Sequence, residues 1–316
     1  MAMPNKDRQA TMDNRQRGEL AALCRSVRWD VDMAAYSTFR TGGTVEAMVE
    51  AGSTEQLALL LRWLHREHIP WHVVGGGSNI LVTSRYHQGV FIRLRGAVEE
   101  SAMESVGADR RVHVHAGCSL AALLGWCVRN DLGGLGFLAG IPGSVGGAIR
   151  MNAGAFGHAI GEVLVAIHCL NERGETVTVA REEAVFAYRA TRLPGEPEVR
   201  LLITGGVLGL QPADGREVAA QCREIVEQRR RKQPQGVGSA GSFFKNPEGD
   251  FAGRLIEQAG LKGLTRGKAM VSPQHANFIV NTGGAVPEDI LDLMDEVRRK
   301  VLQHSGVLLE PEVHIY

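Results

Sequence analysis

Two glycine loops and one serine loop hold the residues best suited to chemistry. Gly75-Gly76-Gly77-Ser78-Asn79 can be a plain turn. It can also be a nest of backbone N–H groups facing a phosphate, with Ser78 and Asn79 adding side-chain hydrogen bonds. No Gly-Lys-Ser/Thr follows, so it is not a P-loop. Gly140-Ile141-Pro142-Gly143-Ser144-Val145-Gly146-Gly147 is richer. Missing side chains let a main chain approach a pyrophosphate closely, although tight helix packing uses the same small residues. Gly241-Ser242-Phe243-Phe244-Lys245-Asn246-Pro247 presents a serine from a flexible loop. It lacks the Gly-x-Ser-x-Gly elbow, which disfavours a hydrolytic nucleophile.

Weaker signals surround these loops. Gly134-x-Gly136-x-x-Ala139 has the spacing of a dinucleotide fingerprint, but it follows a helical pattern and Pro142 interrupts what comes next. His113-x-His115-x-x-Cys118 puts two histidines on one strand face with no fourth ligand in sight, so no metal site is expected. Arg229 to Lys232 reads as a solvated helix end that suits the helix dipole. Glu310-Pro-Glu312 near the C-terminus reads as a solvated strand edge with both acids on one face. Tyr188-Arg189, between Phe186 and Leu193, carries no meaning on its own.

The elements around these residues follow from periodicity. Ser53 and Gln56 suggest a capping box for a helix with Leu57, Leu60, Leu61 and Leu64 on one face, stopped by Pro70. Trp71–Val74 and Ile80–Val82 are short apolar runs that place Gly75–Asn79 between strands. Val112–His115 alternates like a strand, and Leu120, Leu123, Leu124 and Cys127 mark a helix face closed by Asn130 and Gly133. Residues 161–180 and 199–210 read as strands. Val218, Cys222, Ile225 and Val226 define a helix, and Leu255, Ile256 and Ala259 a short one. Phe278–Val280 is a strand. Ile290, Leu293, Met294, Val297 and Val301 form a helix begun by Pro287 and stopped by Gly306, before a last strand over 308–315. The pattern changes near Pro212, which places a domain boundary at about residue 211.

Composition bounds the class. The chain has 316 residues, 44% hydrophobic and 22% charged, enough for more than one domain with a sizeable core. Thirty-five basic residues balance thirty-five acidic ones, which gives no support to a nucleic-acid or membrane-surface role. Five cysteines without a Cys-x-x-Cys pair fit reduced thiols in a cytoplasmic protein. Residues 1–17 are polar and lack the apolar core of a signal peptide, so residues 1–18 are expected to be a flexible tail.

In this order the motifs resemble one family. The carrying segments are Ser37-Thr-Phe-Arg-Thr-Gly-Gly43, Gly75–Asn79, Gly140–Ala148, Met151-Asn152-Ala-Gly154, Tyr188-Arg189, Gly241–Pro247, His275-Ala-Asn-Phe-Ile-Val-Asn281 and Leu309-Glu-Pro-Glu-Val313. They resemble the UDP-N-acetylenolpyruvoylglucosamine reductases of peptidoglycan precursor synthesis. The glycine loops alone would fit the wider vanillyl-alcohol-oxidase type of flavin domain; the serine loop and the terminal Glu-Val make the resemblance specific.

The resemblance implies an α+β protein. Subdomains 19–95 and 96–210 would clasp FAD, and a third domain, 211–316, would take the UDP-sugar. NADPH would reduce the flavin. The enolpyruvyl ether of UDP-N-acetylglucosamine would then accept hydride from flavin N5, giving UDP-N-acetylmuramate. Carried over residue by residue, Ser242 resembles the proton donor, and Arg189 and Glu312 the pair that supports the enolate-like intermediate. Tyr188, Lys232 and Asn246 resemble substrate contacts. Gly75, Gly76, Gly77, Ser78, Asn79, Pro142, Gly143, Ser144, Gly146, Gly147 and Asn152 resemble the FAD site. The sequence departs from the family pattern at Thr191, where serine is common, at His314, where arginine is commoner, and at Arg150, where a neutral residue is usual. The short stretch between Arg189 and Ser242 resembles the shorter, second subtype. Two other readings stay open: an oxygen-dependent oxidase on the same flavin fold, and a non-catalytic nucleotide-sugar binding module.

Overall fold

The computed structural model describes residues 11–96, 103–106 and 109–316. The first subdomain comprises α1 (Asn14–Leu23), β1 (Arg28–Asp32), β2 (Thr44–Ala51), α2 (Thr54–Arg66), β3 (Trp71–Val74), β4 (Ile80–Leu81) and β5 (His87–Leu94). Its sheet runs β1-β2-β5-β3, with the β2/β5 and β3/β5 pairs parallel and β1/β2 antiparallel. The Ser53 hydroxyl accepts from Gln56 N at 3.2 Å to start α2, whose Leu57, Leu60, Leu61 and Leu64 are all buried. The glycine triplet follows β3, at the carboxyl end of a parallel strand.

The second subdomain holds β6 (Met103–Val106), β7 (Asp109–His115), α3 (Leu120–Arg129), β8 (Leu132–Gly133), α4 (Val145–Arg150), β9 (Gly154–Ala155), β10 (His158–Ala159), β11 (Leu164–Asn171), β12 (Thr176–Ala180), β13 (Val185–Ala187), β14 (Ala190–Arg192), β15 (Leu201–Pro212) and α5 (Gly215–Lys232). Its antiparallel sheet runs β12-β11-β15-β7-β6. β15 is central, and its residues from Leu201 to Leu208 are all buried, which explains their near-continuous apolar run. One hydrophobic cluster passes through both subdomains, from Leu57 and Trp63 to Leu123, Leu170 and Leu208.

The third domain has α6 (Ala252–Gln258), the antiparallel sheet β16 (Thr265–Arg266), β17 (Ala269–Val271) and β18 (Ile279–Asn281), α7 (Pro287–Ser305) and β19 (His314–Ile315). Its core is a separate cluster around Phe243, Leu255, Leu293 and Val297. α7 starts at Pro287 and ends at Gly306, whose φ of +74° is the left-handed cap that glycine adopts freely.

Three expectations change. The tail expected over 1–18 is ordered from Met12 onward, while residues 1–10 lie outside the described ones. Buried Met12 donates its N–H to the buried Glu46 carboxylate at 2.7 Å, and a capping box of Asp13 and Gln16 starts α1. Next, the boundary expected near 211 precedes α5, yet Cys222, Ile225 and Val226 pack on the cluster shared by the first two subdomains. The apolar stripe of α5 showed that a partner exists, not which one. Finally, the strand expected over 308–315 shrinks to His314–Ile315, which pairs in parallel with Ile80–Leu81. Without strand alternation Glu310 and Glu312 do not share an environment: their side chains are 73% and 12% exposed.

Candidate active site

The two glycine loops meet face to face. A Cβ on Gly75 would stand 2.6 Å from Ser144 Oγ, and one on Gly76 would stand 2.9 Å from Gly143 Cα. Gly77, at φ +67°, would place a Cβ 1.8 Å from Tyr36 O. Only glycine allows this approach. The Ser78 hydroxyl ties the loops together by donating to Pro142 O at 2.8 Å. Ser144 caps α4, its Oγ accepting from Gly147 N at 3.4 Å. Gly146 lies against Ala116, where a Cβ would come within 2.8 Å. The loops thus form a main-chain cradle between the subdomains, which suits a phosphate-bearing cofactor whose oxygens need backbone donors at close range. Gly134–Ala139 passes from β8 into a short 3-10 turn at Gly136–Leu138, unlike the strand-to-helix turn of a dinucleotide fingerprint.

Asn152 serves another purpose besides. Its side-chain amide donates to Ala187 O at 3.0 Å and its carbonyl accepts from Gly161 N at 3.1 Å. Its amide thus ties the β13–β14 hairpin, whose turn is Tyr188-Arg189, while its carbonyl holds the 3-10 turn at Ile160–Glu162. Two of the departures from the family pattern act on the same hairpin. The Thr191 hydroxyl donates to Ile149 O at 2.5 Å. Arg150 binds both carboxylate oxygens of Glu196 at 2.9 Å and donates to the carbonyls of Thr191 and Leu201. The third departure, His314, brings its Nε2 to 3.0 Å from Met151 Sδ.

Arg189 sits at φ +56°, a left-handed conformation uncommon for a side-chain-bearing residue, as the second residue of the two-residue hairpin turn. Its guanidinium donates to Gly154 O at 3.0 Å, and its Nε lies 2.9 Å from Glu312 Oε1 without the alignment of a hydrogen bond. Burial pushes the Glu312 carboxyl up, and the nearby cations Arg189 and Lys245 only partly offset it.

The C-terminal segment brings Glu312 to this place. Asn79 donates its side-chain amide to Glu312 O at 3.1 Å, and His314 N donates to Asn79 O at 3.0 Å. On the other side Glu312 N donates to Phe243 O at 2.8 Å, and Lys245 N to Glu310 O at 2.9 Å. Glu312 is therefore pinned between the first glycine loop and the serine loop. Half-buried Ser242 is the neighbour of Phe243 in that pairing. Arg189, Glu312 and the Ser242 loop come together from three parts of the chain.

Tyr188 is 55% exposed and reaches across to the serine loop, its hydroxyl accepting from Asn246 N at 3.4 Å. Asn246 Oδ1 accepts from Ala252 N at 3.1 Å and so helps start α6. Lys232 is exposed at the end of α5.

Arg229, near the site, escaped sequence reasoning. Arg229 is not part of a solvated helix end. Its stem lies where a Cβ on Gly140 would come within 2.9 Å, its guanidinium is 5.7 Å from the Phe156 ring, and its Nε is buried without a hydrogen-bond partner. Burial, then Arg189, presses its pKa down from the usual arginine range. A half-buried cation beside another cation, with its Nε unpartnered, fits an anionic ligand. The only hint in the sequence is its place one helical turn before Lys232. Ser37–Gly43 docks the third domain on the first subdomain: Thr38 Oγ1 donates to Ser239 O at 2.6 Å, and Asn281 Nδ2 donates to Phe39 O at 2.9 Å.

An FAD-binding domain family model matches residues 45–180, and the C-terminal domain model of UDP-N-acetylenolpyruvoylglucosamine reductase matches residues 233–316. The UDP-N-acetylenolpyruvoylglucosamine reductase of Syntrophus aciditrophicus is 41% identical over 290 residues, covering 92% of each chain. That of Desulfosudis oleivorans is 40% identical over 298 residues, 92% of this chain and 94% of its own. The crystal structure of the Thermus caldophilus enzyme superposes with a TM-score of 0.75 at 34% identity, covering 92% of this chain and 99% of that one. With the cradle that the FAD-binding match predicts and this identity along nearly the whole length, the chain belongs to the UDP-N-acetylenolpyruvoylglucosamine reductase family, the FAD-dependent oxidoreductases of peptidoglycan precursor synthesis.

Proposed function

We propose that the chain reduces the enolpyruvyl ether of UDP-N-acetylglucosamine to UDP-N-acetylmuramate, with NADPH as the electron source, in the cytoplasm. The observation that carries this reading is the meeting of Arg189, Glu312 and the Ser242 loop beside a glycine cradle. FAD, when bound there, supplies hydride chemistry to a carbon of the substrate. Gly75–Asn79 and Pro142–Gly147 are the residues that would hold its phosphates, with Ser78 and Ser144 fixing the shape of the cradle.

The residues of this chain supply the rest. Arg189 orients the carboxylate of the enolpyruvyl group, for which a guanidinium fork is suited. Glu312 holds Arg189 in place and tempers its charge. Negative charge developing on the carboxylate side of the substrate is met by the Arg189 guanidinium, which Glu312 holds in a largely buried pair. The Ser242 hydroxyl gives its proton to C2 of the enolpyruvyl group as hydride reaches C3. Neighbouring cations, Lys245 and Arg189, ease the loss of a proton from so weak an acid. Tyr188, Asn246, Lys232 and Arg229 line the path on which the diphosphate of the UDP-sugar lies, the two cations meeting its charge.

The test is direct. Purified protein should be yellow with flavin bands, bleach on anaerobic NADPH addition, and regain colour when the enolpyruvyl UDP-sugar is added. Colourless protein that takes up no FAD would sink the reading. Steady oxygen consumption without NADPH would favour an oxidase.

A further inference from the structure

Asn277 lies in the turn before β18 and is 3% exposed. Its side chain makes both main-chain hydrogen bonds that Phe244 offers. Oδ1 accepts from Phe244 N at 2.9 Å, and Nδ2 donates to Phe244 O at 2.8 Å. The Asn277 carbonyl also accepts from Phe243 N at 2.7 Å. On the opposite side the same stretch is tied to the C-terminal segment, through Glu312 N to Phe243 O and Lys245 N to Glu310 O. Residues 243–245 belong to no regular strand, so an amide side chain takes the part of a neighbouring strand.

Ser242 stands at the edge of this clamp. On its other side Gly241 has φ +77° and faces open space. A pivot thus precedes the serine and a fixed segment follows it. The placement of its hydroxyl relative to Glu312 depends on where Phe243 and Phe244 are held, and Asn277 holds both.

We propose that Asn277 is a positioning residue for Ser242, its buried amide fixing the serine loop in register with the segment that carries Glu312. The inference rests on the reading of Ser242 as proton donor. Asn277 reaches neither substrate nor cofactor in this account; it acts through the main chain of residues 243 and 244. A plain core asparagine would also stabilise the fold, so stability alone does not separate the two roles.

Three variants of the full-length FAD-loaded protein test it: Asn277→Asp, Ser242→Ala and the double variant. Aspartate keeps the shape and the acceptor for Phe244 N, but sets a carboxylate oxygen against Phe244 O. Stopped-flow absorbance follows flavin bleaching by NADPH and recovery with substrate. Asn277→Asp should retain flavin, bleach within about two-fold of wild type, and show an unchanged midpoint for substrate-induced perturbation of the oxidised flavin spectrum. Its recovery should slow by roughly 10- to 100-fold, within the range of losing a well-placed general acid. Added to Ser242→Ala, the same change should slow recovery no further, because the serine it positions is already gone.

Equal slowing of both halves, or full additivity in the double variant, would overturn the inference. So would slow recovery in Ser242→Ala with normal recovery in Asn277→Asp, in that case leaving the proton donor standing. Normal recovery in Ser242→Ala would remove the proton-donor reading and this inference with it. Should the aspartate variant fail to fold, Asn277→Gln replaces it. Glutamine keeps donor and acceptor on a stem one methylene longer, and it should slow recovery by displacing Phe244.

Discussion

Arg189 and Glu312 lie 2.9 Å apart although they are far apart in the chain, one on the turn of the β13–β14 hairpin and the other in the C-terminal segment that Asn79 of the first glycine loop holds. Charge pairing and burial oppose each other here. Burial raises the Glu312 carboxyl more than its cations lower it, so the pair costs the folded state at neutral pH. The arrangement is understandable if the pair serves a ligand.

That balance makes a prediction for Glu312→Gln. A carboxyl with a raised folded pKa favours folding when protonated. This contribution is complete below the unfolded value of about 4.3 and is lost as pH rises through the folded value. The neutral isostere should therefore melt no lower than wild type at pH 8, while turnover drops by about 10²-fold or more. Thermal melts at several pH values together with steady-state rates check both halves. A large loss of stability at pH 8 would show the pair to be structural.

Arg150 and Glu196 hold the segment that follows the Tyr188-Arg189 hairpin. Arg150→Met and Glu196→Gln should each raise the KM for the UDP-sugar and leave flavin content unchanged. The double variant should be little worse than either single one, with a coupling of about 1 kcal/mol in urea unfolding. Full additivity would mean that the two side chains act apart.

Gly76→Ala should separate the two glycine loops, because the new methyl would stand 2.9 Å from Gly143 Cα, a main-chain atom that cannot swing aside. The expected outcome is protein with a native circular dichroism spectrum and little bound flavin. Normal flavin content would show that the close approach of the loops does not matter for the cofactor.

Arg229→Gln should leave the flavin spectrum and bleaching by NADPH intact and raise the KM for the UDP-sugar by about 10-fold, the scale of one charge-assisted hydrogen bond. Titrating substrate into the oxidised protein reports the same change without turnover.

Much of this was legible in the residues. The glycine loops announce themselves because close approach and positive φ leave few other choices, as at Gly76 and Gly77. The helix faces at Leu57–Leu64 and Ile290–Val301 follow from spacing and caps. What stayed hidden depends on contacts between distant segments. Glu310 and Glu312 look alike in sequence, and only the pairing of His314 with Ile80 and of Phe243 with Glu312 separates a solvated acid from a buried one. Arg229 matches the dipole pattern of an ordinary helix end, and its burial arises from Gly140 and Phe156, far away in the chain. Asn152 shows nothing in the sequence of its bonds to Ala187 and Gly161, which only the fold brings to it.

The most direct test of the whole account is the recovery of flavin colour in Ser242→Ala. Flavin reduction by NADPH does not need the serine proton, so bleaching should proceed at nearly the wild-type rate. Reoxidation by the enolpyruvyl UDP-sugar should slow by about 10²-fold or more, roughly 3 kcal/mol of barrier. Ser242→Cys, which keeps a transferable proton, should regain part of the rate. Reoxidation at the wild-type rate in the alanine variant, measured by stopped-flow absorbance under anaerobic conditions, would contradict the account.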